Sequence, residues 1–512
     1  MKGDSTLNQL LYLCHKIRQS WTNKNITHGV FLDVTAAFDK VWHKGLLYKL
    51  DRIAVEGKVH QLFTSYLAER KQVCVVDGIK SNVLEVKAGV PQGSRLGPLL
   101  FIIYINDITE NLESDIQIFA DDCSLLVSGK NQSDTSEILN RDLNKISTWA
   151  SNWKIIFNAE KSKTIIFSKN KHNYTHPVQL QNNTIDHVTV HKHLGVYLTH
   201  NLDWTEQIKY ICLSANRKLS VLRRVRYLQR STLDLLYKIT VRSVLDYGLV
   251  IFYNSLNQIS KKRLDQLQYN AAKLVSGALH LTSRVKLETE LGWESISKRA
   301  EFLGLTLFHK INRLETRPLI RSCMPDRNPR KLNDDTNISY RQFPFKSMQF
   351  ANSFFPYYTK KWNKLPHAVK LKPTDEFKNY QKTEIKPKKY KFYSKGNKYN
   401  CTLLTRIRIG RSYLNAHSFQ VGHSDTMFCK CGYKEENSVH YITQCPLYTE
   451  ARRTMVGRIE QFIPRFRNLT NKKQYEILVH GYERDNDELK SINTKIMIST
   501  QIFINETKRF KY

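Results

Sequence analysis

We predict an α+β fold for this 512-residue chain from three features of its sequence. Strand-like and helix-like stretches alternate over the first 170 residues in the order β-α-ββ-α-β, which suits one antiparallel sheet with helices on one face. Apolar residues recur at three-and-four spacing from about 204 to 310, which indicates a helical region. The clustered cysteines lie within 401–460, where we expect a small separate module.

The strands are predicted from short apolar runs bounded by turn residues. Residues 29–34 form the first strand, with Asp33 near its end. Residues 116–120 and 123–127 predict a hairpin whose turn is Asp121-Asp122, and paired strands are expected near 155–168. Further predicted strands at 72–77 and 83–86 flank Asp77-Gly78, a pair typical of tight turns.

The helices are predicted where apolar residues share one face. Leu46, Leu47, Leu50 and Ile53 share one such face, and the stretch from Val59 to Leu67 has another. Gly97-Pro98 begins an apolar helix that runs to Leu112, and 135–152 is a further amphipathic segment.

The charge of the chain indicates a polyanionic partner. Lys and Arg number 80 against 46 Asp and Glu, a formal net charge of +34. Such an excess repels itself unless a polyanion neutralises it, which favours nucleic acid over a merely solvated surface or anionic lipid. No apolar run approaches the roughly 20 residues that span a bilayer, so no membrane partner is expected. Nine scattered cysteines do not suggest a disulfide framework, which favours an intracellular protein.

Three carboxylates carry the strongest chemical hypothesis. Asp33 ends one strand, and Asp121 and Asp122 occupy a hairpin turn, so all three are expected at a sheet edge. Carboxylates that converge there repel one another unless a cation lies between them, and Mg²⁺ is the cation that prefers oxygen ligands and phosphate. A pair of Mg²⁺ ions is sufficient for phosphoryl transfer. The alternative is an ordinary Asp-rich turn near an unrelated strand-end Asp.

Five ordered motifs in this sequence resemble those of reverse transcriptases. They are Phe-Leu-Asp-Val-Thr-Ala-Ala-Phe-Asp at 31–39, Ala-Gly-Val-Pro-Gln-Gly-Ser at 88–94, Phe-Ala-Asp-Asp at 119–122, the set Asn158, Lys161, Ser162 and Lys163, and His-Leu-Gly at 193–195. In their detailed residues, these motifs resemble those of the enzymes of non-LTR (LINE-type) retrotransposons, particularly the jockey-like elements of animals. The resemblance implies a right-hand polymerase with a palm sheet and a helical thumb.

The resemblance also implies roles for single residues. Asp33 and Asp121 would bind two magnesium ions, and Asp122 would complete the site. Phe38 matches the aromatic steric gate that excludes a 2′-hydroxyl, although a core Phe at a helix start is the alternative. Lys161 would place a cation near the departing pyrophosphate, unless it is solvated surface or Lys163 takes that role.

Two further residues are implied as neighbours of the nucleotide and template. They are Gln92 and Gly93 of the second motif, where Gly permits close approach of the backbone. The implied partners are an RNA template, a DNA primer or target, deoxynucleoside triphosphates and an element-encoded endonuclease. We therefore expect an RNA-directed DNA polymerase in the nucleus and cytoplasm, as a ribonucleoprotein. The alternatives are a catalytically weak nucleic-acid-binding remnant and a maturase-like RNA-binding relative.

The C-terminal cysteines suggest a zinc site. Cys429 and Cys431 are followed by His440 and Cys445, and three thiolates with one imidazole suit a closed tetrahedral site. The Cys-x-Cys spacing is tighter than usual, and free buried cysteines are the alternative. Similar sequences close many retrotransposon proteins, so the resemblance agrees.

We predict four regions from these features. Residues 1–200 form the palm with a remnant of the fingers, 201–310 the helical thumb, 311–400 a basic linker-like region that is most basic at 386–399, and 401–512 the C-terminal Cys/His module. Only 32 residues precede Asp33, and Lys2–Thr6 resembles the tail of the last fingers motif. The sequence thus leads us to expect an N-terminally truncated copy with weak activity by itself.

Overall fold

A computed structural model provides the structure of the protein. It describes residues 4–170, 173–316, 318–327, 339–345, 347–385, 393, 395–482 and 487–510. The chain divides into two compact units. The first comprises Met1–Gln207, Val250–Leu256 and Leu307–Lys370, and the second comprises Ile208–Leu249, Asn257–Thr306 and Leu371–Tyr512.

The strands of the described residues all lie before residue 200. They are β1 (Ile26–Val34), β2 (Lys71–Gln72), β3 (Val75–Val76), β4 (Ile79–Lys80), β5 (Leu84–Glu85), β6 (Asp115–Phe119), β7 (Asp122–Gly129), β8 (Phe157–Phe167), β9 (Gln179–Leu180), β10 (Asn183–Thr184), β11 (Asp186–His187), β12 (Val190–His193) and β13 (Val196–Thr199).

The helices continue through the whole chain. Those up to residue 312 are α1 (Thr6–Thr22), α2 (His43–Arg52), α3 (Gly57–Leu67), α4 (Leu96–Ile105), α5 (Gln132–Trp153), α6 (Thr205–Arg224), α7 (Arg230–Leu236), α8 (Ser243–Asp246), α9 (Leu249–Phe252), α10 (Gln258–Ser276), α11 (Arg284–Leu291) and α12 (Ile296–Asn312). The later ones are α13 (Pro318–Arg321), α14 (Met348–Ala351), α15 (Phe354–Asn363), α16 (His367–Lys370), α17 (Thr374–Ile385), α18 (Lys398–Arg408), α19 (Asn415–Gln420), α20 (Thr449–Glu460), α21 (Asn471–His480) and α22 (Asp487–Glu506).

The first unit is organised around a five-stranded sheet in the order β11-β8-β1-β7-β6. Strand β1 is central and antiparallel to both β7 and β8, and only the short β11 runs parallel to its neighbour. The predicted first strand and the predicted hairpin of β6 and β7 are confirmed, as is the long helix that follows them. These segments were predictable because each one has a regular apolar pattern of its own.

The sheet is covered on both faces, so the prediction of helices on one face was wrong. His28 of β1 lies 3.4 Å from Ser136 of α5, whereas its neighbour Thr27 lies 2.6 Å from Ser20 of α1. Because adjacent side chains of a strand point to opposite faces, α5 and α1 lie on opposite sides of the sheet. The indole of Trp21 also donates a hydrogen bond from α1 to the sheet, at 3.2 Å from the carbonyl of Phe167.

The predicted pair of strands near 155–168 is instead one long strand, β8. It pairs with β1 from Phe167 back to Phe157 and does not turn on itself. Residues 158–163 form an irregular stretch of this strand beside Asp33. By contrast, the predicted turn at Asp77-Gly78 is confirmed, with φ values of +50° and +82° between β3 and β4.

The second unit is helical in its described residues and has a C-terminal core. The predicted helical character of residues 204–310 is confirmed. One segment, Tyr237–Arg242, has the wider π-helical turn, and there the ring of Tyr237 stacks on Trp293 with centroids 4.1 Å apart. The C-terminal core gathers buried apolar residues of α18, α20, α21 and α22.

A buried ionic cluster lies inside the second unit. The side chain of Glu290 is only 3% exposed and accepts hydrogen bonds from Arg230 at 2.8 Å and from Arg408 at 2.8 and 3.1 Å. Thr405 donates to the same carboxylate at 3.1 Å. Although burial opposes its charge, the two guanidinium groups keep the pKa of Glu290 below its ordinary value. The carboxylate is therefore ionised and fully paired.

Helix α18 contributes to two sets of contacts within this unit. Its apolar residues Leu403, Leu404 and Ile407 join the C-terminal core. Its polar side chains contact residues far earlier in the chain: Arg406 donates to the carbonyl of Gly277 at 2.9 Å, and Arg408 pairs with Glu290. One helix therefore joins residues 230–290 to the C-terminal core.

The predicted domain boundaries at 200, 310 and 400 stay predictions. Within the predicted linker-like region, the described residues include α13–α17, and α15 buries four large aromatic side chains, namely those of Phe354, Phe355, Tyr358 and Trp362. Residues 386–392 and 394 of its most basic part lie outside the described residues. Across the described ranges, no helix has both the length and the apolarity that crossing a membrane requires.

Candidate active site and Cys/His cluster

The sheet brings Asp33, Asp121 and Asp122 to one place. Strands β1 and β7 are antiparallel, with Leu32 opposite Cys123, so the next position on each strand holds Asp33 and Asp122. Asp121 belongs to the two-residue turn that joins β6 to β7. The register of the strands thus brings the three residues together at the ends of β1 and β7, which are inner strands of the sheet.

The turn that carries Asp121 has a strained backbone. Phe119 pairs with Asp122, which leaves only Ala120 and Asp121 between the strands, and Ala120 has φ of +54°. Glycine is the residue that adopts this conformation without strain, so an alanine there costs about 1 kcal/mol or more. Such strain occurs where a structure has to hold a side chain in one fixed position.

The electrostatics of the three carboxylates fit a hard cation. Partial burial raises the pKa of Asp122, and the negative charges of Asp121 and Asp33 raise it further. Within the described residues, no basic side chain forms an ion pair with any of the three. Carboxylates that repel one another without a built-in counter-charge match the ligands of Mg²⁺.

Ser162 holds the backbone of Asp33 in place, a role that sequence analysis did not predict. Between Phe31 and Asp33 the pairing of β1 with β8 shifts register. Across this irregularity the Ser162 hydroxyl accepts from the Asp33 amide at 3.1 Å and donates to the Asn158 carbonyl at 2.7 Å. The only signal in the sequence was its place between two lysines in the fourth motif.

The two lysines beside Ser162 differ in their partners. Lys163 forms an ion pair with Asp186 at 2.8 Å and donates to the Glu160 carbonyl. Lys161 is exposed, and in the described part of the chain its ammonium has no acidic partner. Of the two, Lys161 is therefore the one whose charge remains available to a ligand.

The predicted nucleotide-binding residues lie on two loops in contact. Phe38 is half-buried against Phe101, with ring centroids 5.0 Å apart, and its carbonyl accepts from the Val90 amide at 2.8 Å. Gln92 is exposed and lies 3.5 Å from Asp39. Gly93 has φ of +82°, and a Cβ there would meet no atom within 4 Å, so its glycine serves the backbone conformation and leaves space in front of the loop. The roles of these three residues stay predictions.

The four predicted zinc ligands lie together in the second unit. One ligand atom from each of Cys429, Cys431, His440 and Cys445 lies within 4.8 Å of all the others. The sulfurs of Cys429 and Cys445 are 3.7 Å apart, and Cys431 lies 3.3 Å from Nε2 of His440. A disulfide needs about 2.05 Å, whereas two thiolates on a tetrahedral zinc lie about 3.8 Å apart, since each Zn–S bond is about 2.3 Å.

Local structure fixes these four side chains. Gly432 has φ of +90° and closes a tight turn by donating to the Cys429 carbonyl at 2.9 Å. The ring of Tyr433 stacks on His440 with centroids 4.3 Å apart and planes 5° from parallel. The Cys445 amide donates to the His440 carbonyl at 2.8 Å, so a single turn sets the separation of those two ligands.

The N-terminal part of the chain is similar to a known enzyme family. Residues 1–214 match the family model of reverse transcriptase (RNA-dependent DNA polymerase). This region is therefore similar to reverse transcriptases over its whole length. A reverse transcriptase domain implies the polymerase palm and thumb, and the mixed sheet and helices described above agree with that implication. The predicted resemblance to reverse transcriptases is thereby confirmed, and the relatives described next extend it to LINE-type elements.

Curated relatives come from mobile elements. The chain is 30% identical to the RNA-directed DNA polymerase from mobile element jockey of Drosophila melanogaster, over 60% of this chain and 34% of that protein. It is 29% identical to the probable RNA-directed DNA polymerase from transposon X-element of the same species, over 65% of this chain and 37% of the relative. The chain thus spans about a third of the length of these relatives.

The chain also has two more distant similarities, one to a Pol polyprotein and one to a solved structure. A Pol polyprotein from type-1 retrotransposable element R1 of Bradysia coprophila is 23% identical over 83% of this chain and 40% of that protein, so similarity extends beyond the reverse transcriptase region. Among solved structures, a telomerase from Candida albicans covers 52% of this chain and 49% of its own at 13% identity. Its TM-score of 0.24 supports no argument about the fold.

Proposed function

We propose that this chain is an RNA-directed DNA polymerase of a LINE-type retrotransposon, with Asp33, Asp121 and Asp122 as its metal-binding catalytic residues. The observation that supports this most is the meeting of the three carboxylates at the ends of β1 and β7 with no basic partner among the described residues. Its substrates are deoxynucleoside triphosphates, and its partners an RNA template and a DNA primer.

The residues around this centre have complementary tasks. Asp33, Asp121 and Asp122 would hold two magnesium ions, which activate the primer hydroxyl and stabilise the leaving pyrophosphate. Ser162 fixes the backbone of Asp33, and the exposed Lys161 supplies positive charge for the departing pyrophosphate. Little else is required of the protein, because phosphoryl transfer depends mainly on positioning and charge.

Phe38, Gln92 and Gly93 form the proposed nucleotide contact. The ring of Phe38 packs against Phe101 and its backbone carbonyl accepts from the Val90 amide, so both its ring and its backbone are held in place. This supports its role as the gate against a 2′-hydroxyl. The open space in front of Gly93 suits close approach of a template base to the backbone.

The test of this function is Asp121→Asn, with Asp77→Asn as the matched control. We expect the Asp121 variant to lose RNA-templated primer extension and to lose Mn²⁺ binding, measured by electron paramagnetic resonance without nucleic acid. Asp77 lies in an exposed turn at φ of +50°, a conformation that Asn also tolerates, so its substitution should change neither readout. Equal Mn²⁺ binding by both variants would contradict the assignment, whatever the extension activity.

The same test separates the alternative functions. A nucleic-acid-binding remnant or a maturase-like relative would bind RNA, and Asp121→Asn would change nothing that can be measured. RNA binding should survive in all variants because it rests on a widely spread positive charge. Metal binding that depends on Asp121 therefore favours the polymerase over both alternatives.

We also propose that Cys429, Cys431, His440 and Cys445 hold one structural zinc ion. The 3.7 Å spacing of two thiols and the closed, mostly buried set of donors support it. We expect one equivalent of zinc per chain by elemental analysis in reducing buffer, and its loss in Cys431→Ser. Cys401→Ser is the matched control, since Cys401 is buried in the same unit and lies outside the cluster. Absence of zinc from the purified wild-type chain would disprove this proposal.

A further inference from the structure

A cleft of about 630 Å³ opens in the first unit, where the start of α2, the end of α3 and the strand pair β2–β5 meet. None of the predicted site residues lines it. The residues around it are Trp42, His43, Lys44, Leu67, Ala68, Glu69, Arg70, Lys71, Glu85, Val86 and Lys87. Its chemistry is thus separate from that of the carboxylate cluster.

The charge of the cleft is positive. Four basic side chains line it against two acidic ones, namely Lys44, Arg70, Lys71 and Lys87 against Glu69 and Glu85. The basic residues come from three separate segments of the chain. In the described ranges, none of the three lysines has an acidic group within ion-pair distance. Their charges therefore remain available to a bound anion.

Hydrogen bonds hold part of the wall of the cleft together. The carbonyl of Gly89 accepts hydrogen bonds from His43 at 2.8 Å and from Arg70 at 3.1 Å, so two lining residues are fixed to one backbone group. Gly89 itself packs so closely on the backbone of Asp39 that a Cβ on residue 89 would lie 2.7 Å from the Asp39 carbonyl oxygen. A preformed wall of this kind lowers the cost of binding a ligand.

The same backbone leads to the proposed nucleotide contact. Val90 follows Gly89 directly and donates to the carbonyl of Phe38 at 2.8 Å. Gln92 is two residues further along this loop. A strand that lies in the cleft and continues along the loop therefore reaches the residues proposed to hold the incoming nucleotide.

We propose that this cleft binds backbone phosphates of a single nucleic-acid strand that continues toward Phe38 and Gln92. The proposal rests on the proposed polymerase function, which it deepens by naming a second contact with nucleic acid. Separated cations from three segments suit a chain of regularly spaced phosphates. The strand is either the RNA template or a DNA strand, since both carry this backbone.

The experiment compares Lys44→Gln/Lys87→Gln with the control pair Lys130→Gln/Lys169→Gln. All four lysines are exposed and lie in the first unit, but the control lysines follow β7 and β8 and do not line the cleft. Binding of labelled oligo(U) RNA and oligo(dT) DNA is measured by fluorescence anisotropy over a series of salt concentrations, without magnesium or nucleotides. Thermal unfolding of each variant confirms that it is folded.

We expect the slope of log affinity against log salt to become shallower by about 1.4 in the cleft variant, because each lost phosphate contact on a single strand removes about 0.7. A change with RNA alone assigns the cleft to the template, a change with DNA alone assigns it to a DNA strand, and a change with both supports the shared backbone. An unchanged slope, or an equal change in the control pair, overturns the proposal.

Failure of the cleft and failure of the polymerase proposal are distinguishable. The binding assay contains no metal, so it does not depend on Asp121. If the chain binds through the cleft but has no Asp121-dependent Mn²⁺ site, the polymerase proposal fails and the cleft proposal stands. If the metal site is present but the salt slope of the cleft variant is unchanged, the cleft proposal fails and the polymerase proposal stands.

Discussion

The carboxylates at the ends of β1 and β7 and the ionic cluster inside the second unit are both sets of three charged side chains, but they differ in what balances the charge. Asp33, Asp121 and Asp122 meet with no basic partner among the described residues. Glu290 is buried between two guanidinium groups that together donate to both of its oxygens. The charge of Glu290 is balanced within the chain and contributes to the stability of the fold. The three aspartates repel one another and lower stability, which is the cost of keeping a binding site for a ligand.

The Cys/His cluster lies between these two cases. Its donors are held in position by Gly432 and by the stacked ring of Tyr433, and the guanidinium of Arg452 donates a hydrogen bond to the Cys445 carbonyl beside them. A metal bound by these four donors would stabilise the second unit, because the site is not formed in the unfolded chain. The comparison therefore predicts different responses to removing one charged group from the paired cluster and from the unpaired one.

The largest response is expected from the fully paired cluster. Glu290→Gln leaves Arg230 and Arg408 buried without a counter-charge, so we expect the free energy of unfolding of the second unit to fall by about 3–5 kcal/mol. Urea titration followed by circular dichroism measures it. Glu450→Gln is the control, because Glu450 pairs with Arg453 on an exposed helix surface and should cost less than about 1 kcal/mol. Equal effects of both substitutions would show that the buried cluster is not special.

A smaller change in the free energy of unfolding is expected when His28 of strand β1 is protonated. His28 is buried between Thr164 and Ser136, and burial lowers its pKa to about 3. An unfolded histidine binds a proton below about pH 6.5, so the stability contributed by neutral His28 is present above pH 6.5 and is lost as the pH falls toward 3. This amounts to about 2 kcal/mol between pH 7 and pH 5.

The measurement is denaturant unfolding at pH 7 and pH 5 for wild type, His28→Gln and His176→Gln. His28→Gln should remove about 2 kcal/mol of the pH dependence, since glutamine does not titrate. His176 is exposed in the same unit, so its substitution should leave the pH dependence as in the wild type. A pH dependence that is the same in all three would mean that His28 is protonated in the folded state.

The smallest response, of opposite sign, is expected from the unpaired cluster. Asp122→Asn removes one of three mutually repelling charges, so without magnesium the first unit should become more stable by about 1 kcal/mol. Millimolar magnesium should then stabilise the wild type and not the variant, because only the wild type retains the full set of ligands. Thermal unfolding with and without magnesium gives both values, and destabilisation by Asp122→Asn would contradict the comparison.

The sequence predicts the carboxylate centre well because its parts are local. Each strand has its own apolar run, and Asp121-Asp122 is recognisable as a turn between two of them. The pairing of β1 with β7 then brings Asp33 to the same place. The Cys/His cluster was predictable for the same reason, since its four residues lie within 17 positions, from Cys429 to Cys445.

The paired cluster and the second face of the sheet were not predictable, because their contacts are distant in sequence. Arg230 and Glu290 are 60 residues apart, and Glu290 and Arg408 are 118 apart, so no local pattern marks them as partners. Helix α1 was missed because Lys2–Thr6 was interpreted as the end of a motif. The helical spacing of Phe354, Tyr358 and Trp362 was a signal of buried structure that the basic composition of the region concealed.

The double role of helix α18 limits how this protein can be recombined. A C-terminal segment that begins after Arg408 would leave behind Leu403, Leu404 and Ile407, which belong to its own core. A segment that begins before Lys398 would include Arg408, which would be buried without a counter-charge unless the rest of the chain provides a residue equivalent to Glu290. Exchange of C-terminal segments between related chains should therefore succeed only when the combined chain still has the residues corresponding to Arg230, Glu290 and Arg408.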